Sequence, residues 1–368
     1  MSALTLTESL AKYESLLHEL QFRDKVKSAE FHYATSFDFD GFFENDLVEI
    51  LFSKIKEVVG EVEFSTFKLG VSWPALMESA EKSHYKFTIQ TKLVKKIEDE
   101  LGKKADFESN TDVFFLIDFP KKLVLIKIRP VYVVGNYCKY SREIAQTEYF
   151  CNKCRGKGCW YCLNTGHFSE ESVEQLISKS FLKYFDAKLL VLHGAGREDL
   201  DVLMLGEGRP FVAELVLPKK RRVDLGEVER EINSVFEKKI SVNSLAFCDL
   251  NEVMKVKDSM HDKIYTAFVV CKDEFDLNNL VLNKEIVVEQ YTPIRVERRR
   301  AKLNRKKRVT ILDAFRVSSK ELVLTLRTSH GTYVKEFISS DSGRTKPSIS
   351  SMLNTNCFCA LLDVEEIC

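Results

Sequence analysis

The chain lacks any uninterrupted apolar run approaching the length of a bilayer span, and its amino terminus lacks a basic stretch leading into a short hydrophobic segment. Neither membrane insertion nor secretion is therefore expected, and the predicted setting is intracellular, cytoplasmic or nuclear. Net charge is absent too, because Lys+Arg and Asp+Glu both number 55. A disulfide framework fits poorly: of 10 cysteines, four crowd into Cys151–Cys162 at paired spacing and the others are scattered, which suits a metal in a reducing compartment. The first 134 residues offer no nucleophile and no convergent ionisable set, so binding or positioning is expected there and not catalysis.

What is present is enough for two cores, since 368 residues at 45% hydrophobic and 30% charged describe a globular chain of two domains. The zero net charge conceals segregation. Lys219-Lys220-Arg221-Arg222 is one basic cluster, and Arg295 to Arg308 holds nine cations against the single acid Glu297. Such a density repels itself unless an anionic partner or counterions offset it, and nucleic acid is the natural partner; a solvated surface is the plainer alternative.

Apolar spacing predicts helices over Leu6–Val26, Asp46–Val59, Lys92–Leu101, Ser172–Phe185 and Asp224–Lys239. Strand patterns fall at Val62–Val71, Val113–Ile117, Leu123–Ile128, Val242–Leu250, His261–Val270, Ile286–Gln290, Val309–Val317 and Leu322–Thr328. Between Cys151 and Cys162 stand two Cys-x-x-Cys pairs with intervening glycines, a pattern in which Cys151, Cys154, Cys159 and Cys162 would fill a tetrahedral, structural zinc site with His167 a bystander. Four reduced thiols in a loop remain the alternative.

Two stretches carry ionisable groups in turns. In Gly194-Ala-Gly-Arg-Glu-Asp-Leu-Asp-Val202 an apolar run breaks into small residues and then into acids, and Gly206 and Gly208 predict a tight turn between Asp201–Leu205 and Pro210–Leu217. In Ser329-His-Gly-Thr-Tyr-Val-Lys-Glu-Phe337 a Gly-Thr turn carries a strand into a helix start beside Lys335.

Together with Tyr140-Ser-Arg-Glu-Ile-x-Gln-Thr147, Gly206-x-Gly-Arg-Pro-Phe211, Lys263-x-Tyr265, Thr292-Pro-x-Arg-Val296 and Gly343-Arg-Thr-x-Pro-Ser348, these stretches resemble the archaeal and eukaryotic family of T-loop tRNA pseudouridine synthases. The resemblance runs through the C-terminal half in the family's order. It implies an α+β protein with a THUMP-containing RNA-positioning domain over 1–134 and a catalytic domain over 135–368, built on a mixed, mainly antiparallel sheet. It implies isomerisation of uridine at tRNA position 55, 54 or both, with Asp199 as the catalytic aspartate, Tyr265 stacking on the uracil and assisting proton removal from C5, and Lys335 as the basic partner of the aspartate. Arg197 would hold the extruded nucleotide; Arg142, Arg209, Arg295 and Arg344, each inside a quoted motif, are expected at the substrate. Asp201 is expected to be structural.

The chemistry agrees, since a carboxylate can attack ribose C1′ or assist deprotonation, and an aromatic platform replaces stacking lost on extrusion. No organic cofactor is required, tRNA is the expected partner and a monomer the expected state. Leu203 and Thr266 stand where members often carry Arg, which bears on phosphate contacts, and the N-terminal Cys-x-x-Cys of many members is absent. A non-catalytic tRNA-binding or folding protein of the same architecture is the rival; a zinc-dependent chaperone module is a weaker one, because such modules repeat the motif.

Overall fold

The computed structural model describes residues 31–38, 44–72, 79–106, 110–148, 150–151, 153–167, 169, 171–297 and 300–368; the helix predicted over Leu6–Val26 lies outside them. The chain divides into two compact units. One comprises the residues up to Val131 with Leu182–Leu189 and Leu215–Val223, the other Tyr132–Phe181, Leu190–Glu214 and Asp224–Cys368.

The first unit holds β1 (Tyr33–Ser36), α1 (Glu44–Val59), β2 (Thr66–Ser72), α2 (Ser79–Leu101), β3 (Lys104–Ala105), β4 (Val113–Asp118) and β5 (Leu123–Ile128). The strands form a mixed sheet in the order β1-β5-β4-β2-β3. Leu47, Leu51, Ile55 and Val58 recur at helical spacing and are all buried, as are Ile89, Leu93 and Ile97 of α2, so both helices bury one apolar stripe. Helix α2 begins well before the predicted Lys92, because Ser79–Gln90 is mostly polar and shows no periodic apolar signal. The strand predicted from Val62 begins at Thr66.

The second unit contains β6 (Val131–Lys139), α3 (Val173–Phe185), β7 (Leu189–Gly194), β8 (Val202–Val216), α4 (Leu225–Val235), β9 (Ile240–Cys248), α5 (Leu250–Asp258), β10 (Lys263–Cys271), β11 (Glu285–Tyr291), β12 (Asn304–Arg316), β13 (Glu321–Thr328), α6 (Val334–Ser339), β14 (Thr345–Lys346), α7 (Ile349–Met352) and β15 (Cys357–Ile367), some of which run on into the first. Its 10-stranded sheet runs β14-β11-β12-β13-β10-β15-β8-β6-β9, with β7 on β8. β8 pairs with β15 in parallel, whereas β6/β9, β10/β13, β10/β15, β11/β12, β11/β14 and β12/β13 are antiparallel. The expected mixed, mainly antiparallel sheet is thus present, in an α+β arrangement.

One expectation is corrected. Residues 202–216 form a single strand and not a hairpin about Gly206–Gly208. A Cβ at Gly206 would stand 2.1 Å from the Glu365 carbonyl oxygen, and one at Gly208 2.7 Å from that of Tyr137. Both glycines, at φ +60° and +86°, therefore let neighbouring backbone approach within a strand, a demand whose sequence signature equals that of a turn. The helix predicted over Asp224–Lys239 ends at Val235, with Asp224 as its cap, accepting from the Gly226 N–H. β12 starts at Asn304, so Arg305 to Arg308 of the basic run lie in a strand.

Candidate active site

Between β7 and β8 the chain passes through residues 195–201, and two neighbouring acids there face opposite ways. Gly196 takes φ +83°, which only glycine adopts freely, and redirects the backbone so that Glu198 turns inward while the next carboxylate, Asp199, stands 44% exposed.

Glu198 is the hub of a buried network. Arg209 is 1% exposed, and its Nε lies 2.9 Å from Glu198 Oε2, off the line of a full hydrogen bond. Its Nη1 donates to the Ala195 carbonyl at 2.7 Å. The Tyr137 hydroxyl approaches both Glu198 oxygens at 3.0 Å, and Gln146 Nε2 donates to that hydroxyl at 2.8 Å and to the Gly196 carbonyl at 2.9 Å. Burial above all, with the Glu198 charge, drives the Tyr137 phenol well above its ordinary value and keeps it protonated.

Two cations brace the far end of the loop. Lys139 Nζ donates to the Leu200 carbonyl at 2.7 Å and to that of Ile144 at 3.0 Å. Arg142 Nη1 donates to the Asp201 carbonyl at 2.8 Å, and its Nη2 pairs with Asp363 at 2.7 Å. Arg142 and Arg209, both expected at the substrate, are thus engaged with the loop and its surroundings: Arg209 meets Glu198 and the Ala195 carbonyl in the interior, and Arg142 is tied to Asp363 and to backbone.

The outward face is assembled by α6 and the segment after β11. Gln290 clamps the turn before α6, donating through Nε2 to the Tyr333 carbonyl and accepting the Tyr333 N–H, each at 2.9 Å; Lys307 donates to the His330 carbonyl at 2.7 Å. Lys335 then reaches Asp201 at 2.7 and 2.8 Å, and Asp199 Oδ2 at 3.7 Å. The nearer cation on Asp199 is Arg295, whose Nη1 lies 3.0 Å from Oδ2 while its Nε holds buried Glu336 at 2.6 Å. Although burial opposes it, the bond to Glu336 raises the Arg295 pKa further; although burial opposes it, Lys335 lowers that of Asp201. Tyr265, half-buried on β10, is pushed to about 12 by burial first, with Glu198 and Asp199 adding and Arg209 opposing. Its phenol is therefore neutral through the physiological range. Arg197 is exposed on the loop, and the Arg344 guanidinium lies 5.9 Å from the Tyr291 ring centroid.

The structure brings Asp199, Arg295, Lys335 and Tyr265 into one electrostatic neighbourhood. Sequence reasoning missed Glu198, Glu336, Tyr137 and Lys139. Glu198 and Glu336 each adjoin a singled-out residue, but nothing in a linear pattern tells which of two neighbours turns inward.

The four cysteines also converge. The Sγ atoms of Cys151, Cys154, Cys159 and Cys162 lie within 4.8 Å of one another, and three of the separations are 3.7 to 3.8 Å. A tetrahedron of Zn–S bonds of about 2.3 Å has edges of about 3.8 Å, so the set fits a tetrahedral zinc and leaves no open coordination position. The separations are far too long for disulfides. Cys162 Sγ accepts N–H groups from Cys159 at 3.3 Å and Gly166 at 3.2 Å, contacts that favour a thiolate. His167 stands apart, packed on Phe150 at 4.9 Å.

Residues 132–368 match the family model described as Pus10, C-terminal. The tRNA pseudouridine synthase Pus10 of Archaeoglobus fulgidus is 37% identical over 330 residues, covering 87% of this chain and 91% of the relative. Its namesake from Methanocaldococcus jannaschii is 38% identical over 341 residues, 89% and 74% of the two chains, and that from Korarchaeum cryptofilum 37% over 344 residues, 89% and 91%.

Proposed function

The chain belongs to the Pus10 family and is a tRNA pseudouridine synthase, and from that premise we propose that Asp199 acts on the ribose of a T-loop uridine at position 55, 54 or both. The observation that carries the assignment is the opposed pair at the loop: an outward Asp199 held at 3.0 Å by Arg295, above an inward Glu198 that fixes the backbone beneath it.

The reaction breaks the C1′–N1 bond, turns the uracil, forms C1′–C5 and moves the C5 proton away, N1 gaining one. Asp199 attacks C1′ or assists deprotonation of the ribose. Arg295, anchored on Glu336, orients that carboxylate, and Lys335 joins it to Asp201. Tyr265, protonated up to about 12, offers a ring for stacking and a neutral hydroxyl that relays the C5 proton, its oxygen accepting that proton as its own passes to water. Arg197 and Arg344 contact the extruded nucleotide or its flanking phosphates. The first unit is a THUMP-type RNA-positioning domain, and the protein acts as a monomer in a reducing, intracellular compartment, a setting that suits four thiolates held for a metal. No helix among the described residues is long and apolar enough to cross a membrane. When bound, zinc would rigidify the Cys151–Cys162 knuckle and take no part in the reaction.

The test is pseudouridine mapping of an unmodified tRNA transcript after incubation with the wild type, Asp199→Ala and Asp199→Asn. T-loop pseudouridine falling by at least about a thousandfold in both variants, with tRNA binding retained, supports the reading. Undiminished product in Asp199→Asn removes Asp199 from the chemistry, and product only outside the T-loop overturns the site of action.

A further inference from the structure

The zinc knuckle carries more on its surface than a purely structural element needs. Trp160 is 77% exposed, Tyr161 47% and Leu163 86%, three apolar side chains within four residues. The knuckle itself is closed behind them: Gly158 and Gly166 leave no room for a Cβ, which would fall 2.8 Å from the Asn164 carbonyl and 2.4 Å from that of Gly156, and Phe150 bridges to His167. The aromatic pair is therefore presented by a tightly folded turn and is not left out by loose packing.

Their surroundings are cationic. Lys153 Nζ lies 4.0 Å from the Trp160 ring centroid and 4.2 Å from that of Tyr161, and the two rings meet edge-on at 79°. Arg155 and Lys157 are exposed in the same knuckle, and the sequence from Tyr149 to Ser169 contains no Asp or Glu. An ammonium over one face of an indole fixes the ring and leaves its other face to solvent. An exposed indole face flanked by cations, without acids, matches an unpaired base with its phosphates: the base stacks, the cations take the backbone. A protein partner would have to supply acids to match the same cations, and the rings prefer π-faces.

We propose that the Cys151–Cys162 knuckle is a second RNA contact of this enzyme, in which Trp160, buttressed edge-on by Tyr161, stacks on an unpaired nucleobase of the substrate tRNA and Lys153, Arg155 and Lys157 meet its phosphates. This rests on the synthase reading and deepens it, giving the zinc element a part in substrate affinity.

The experiment uses the full zinc-loaded chain and an unmodified tRNA transcript, comparing wild type with Trp160→Ala, Trp160→Phe and Lys153→Gln. Trp160→Ala raises both Kd and KM about tenfold and leaves kcat at saturating tRNA within twofold, while Trp160→Phe retains most affinity. Lys153→Gln lowers the slope of log affinity against log salt by about 0.7 to 0.9. The chain has two tryptophans, so in a Trp73→Phe background the emission reports Trp160 alone, and tRNA quenches it. Zinc content and melting temperature, measured on each variant, separate lost contact from lost fold. Unchanged Kd in zinc-loaded Trp160→Ala, or an emission indifferent to tRNA, overturns the proposal. If the wild type forms T-loop pseudouridine while either of those holds, only the knuckle contact fails; if it forms none, the synthase reading fails first.

Discussion

The two compact units bury different kinds of group. The first closes over aliphatic and aromatic side chains, with Phe67 and Phe115 fully covered at 6.2 Å, and its buried polar residues among those described are Thr35, Thr111 and Asp118. The second buries Lys139, Glu198, Arg209, Lys263, Gln290 and Glu336 as well as an apolar core. Burying charge is costly, and swapping a buried ion pair for packed hydrocarbon is often neutral or stabilising. Its persistence around residues 195–201, and near-absence from the first unit, ties the buried charge to orientation of the loop that presents Asp199.

The sharpest way to break this contrast is Glu198→Ala, which leaves Arg209 charged and uncompensated. The second unit should lose about 3–5 kcal/mol in chemical denaturation, and turnover should fall with it. Glu198→Gln, which still accepts from Tyr137, should lose less. A loss below about 1 kcal/mol for the alanine variant would mean that the network does not hold the loop.

Next comes pH, where the two units should respond in different windows. In the first, His32 Nδ1 accepts the Ile128 N–H at 2.8 Å, and burial followed by Lys127 lowers its pKa to about 4. The folded value lies below the ordinary 6.5, so the unfolded chain binds the extra proton: stability is full above that value and is lost as pH falls towards 4. After allowance for solvent screening the loss is about 2 kcal/mol, and His32→Asn should flatten that limb of a melting-temperature profile. In the second unit, burial chiefly lowers Lys139 and Lys263 to about 8 from 10.5. Here too the unfolded chain holds more protons, so these lysines add stability as pH rises from about 8 to 10.5. Lys139→Met should remove part of that alkaline gain and leave the acid limb untouched.

A smaller effect is expected from a chelator. Stripping the four-cysteine site should lower the melting temperature of the second unit by about 5 °C, corresponding to about 1 to 2 kcal/mol, and should leave kcat at saturating tRNA within about twofold. A collapse of kcat would place the metal in the chemistry.

These contrasts follow how the sequence could be read. Periodic apolar faces announced α1 and α3, and the paired thiols announced their own convergence, because both signals are local. Asp199, Tyr265 and Lys335 stand out through motif resemblance alone, and their roles are proposed on that basis, since a carboxylate in a turn, a strand tyrosine and a surface lysine are ordinary by composition. What stayed hidden was three-dimensional. Gly206 and Gly208 serve close backbone approach, and a linear pattern cannot distinguish that from a turn. Arg209, expected at the substrate, is instead buried against Glu198, which turns inward beside Gly196. Lys335 was paired in expectation with Asp199, whereas its 2.7 Å partner is Asp201 and Arg295 is the nearer cation on Asp199.

The smallest change tests that last distinction. Glu336 is 5% exposed and grips Arg295 at 2.6 Å, while Arg295 itself is 40% exposed in its side chain. Glu336→Gln keeps the shape and an accepting oxygen but removes the charge that anchors the guanidinium. Because Arg295 remains open to water and still meets Asp199, stability should change by less than about 1 kcal/mol. Orientation of the Asp199 carboxylate should suffer more: if Asp199 reacts as proposed, kcat falls by about five- to tenfold with KM little changed, since the anchor then acts on that carboxylate and not on the bound RNA. A rise in KM with kcat intact would show instead that Arg295 serves tRNA binding, leaving Lys335 as the cation that matters to Asp199.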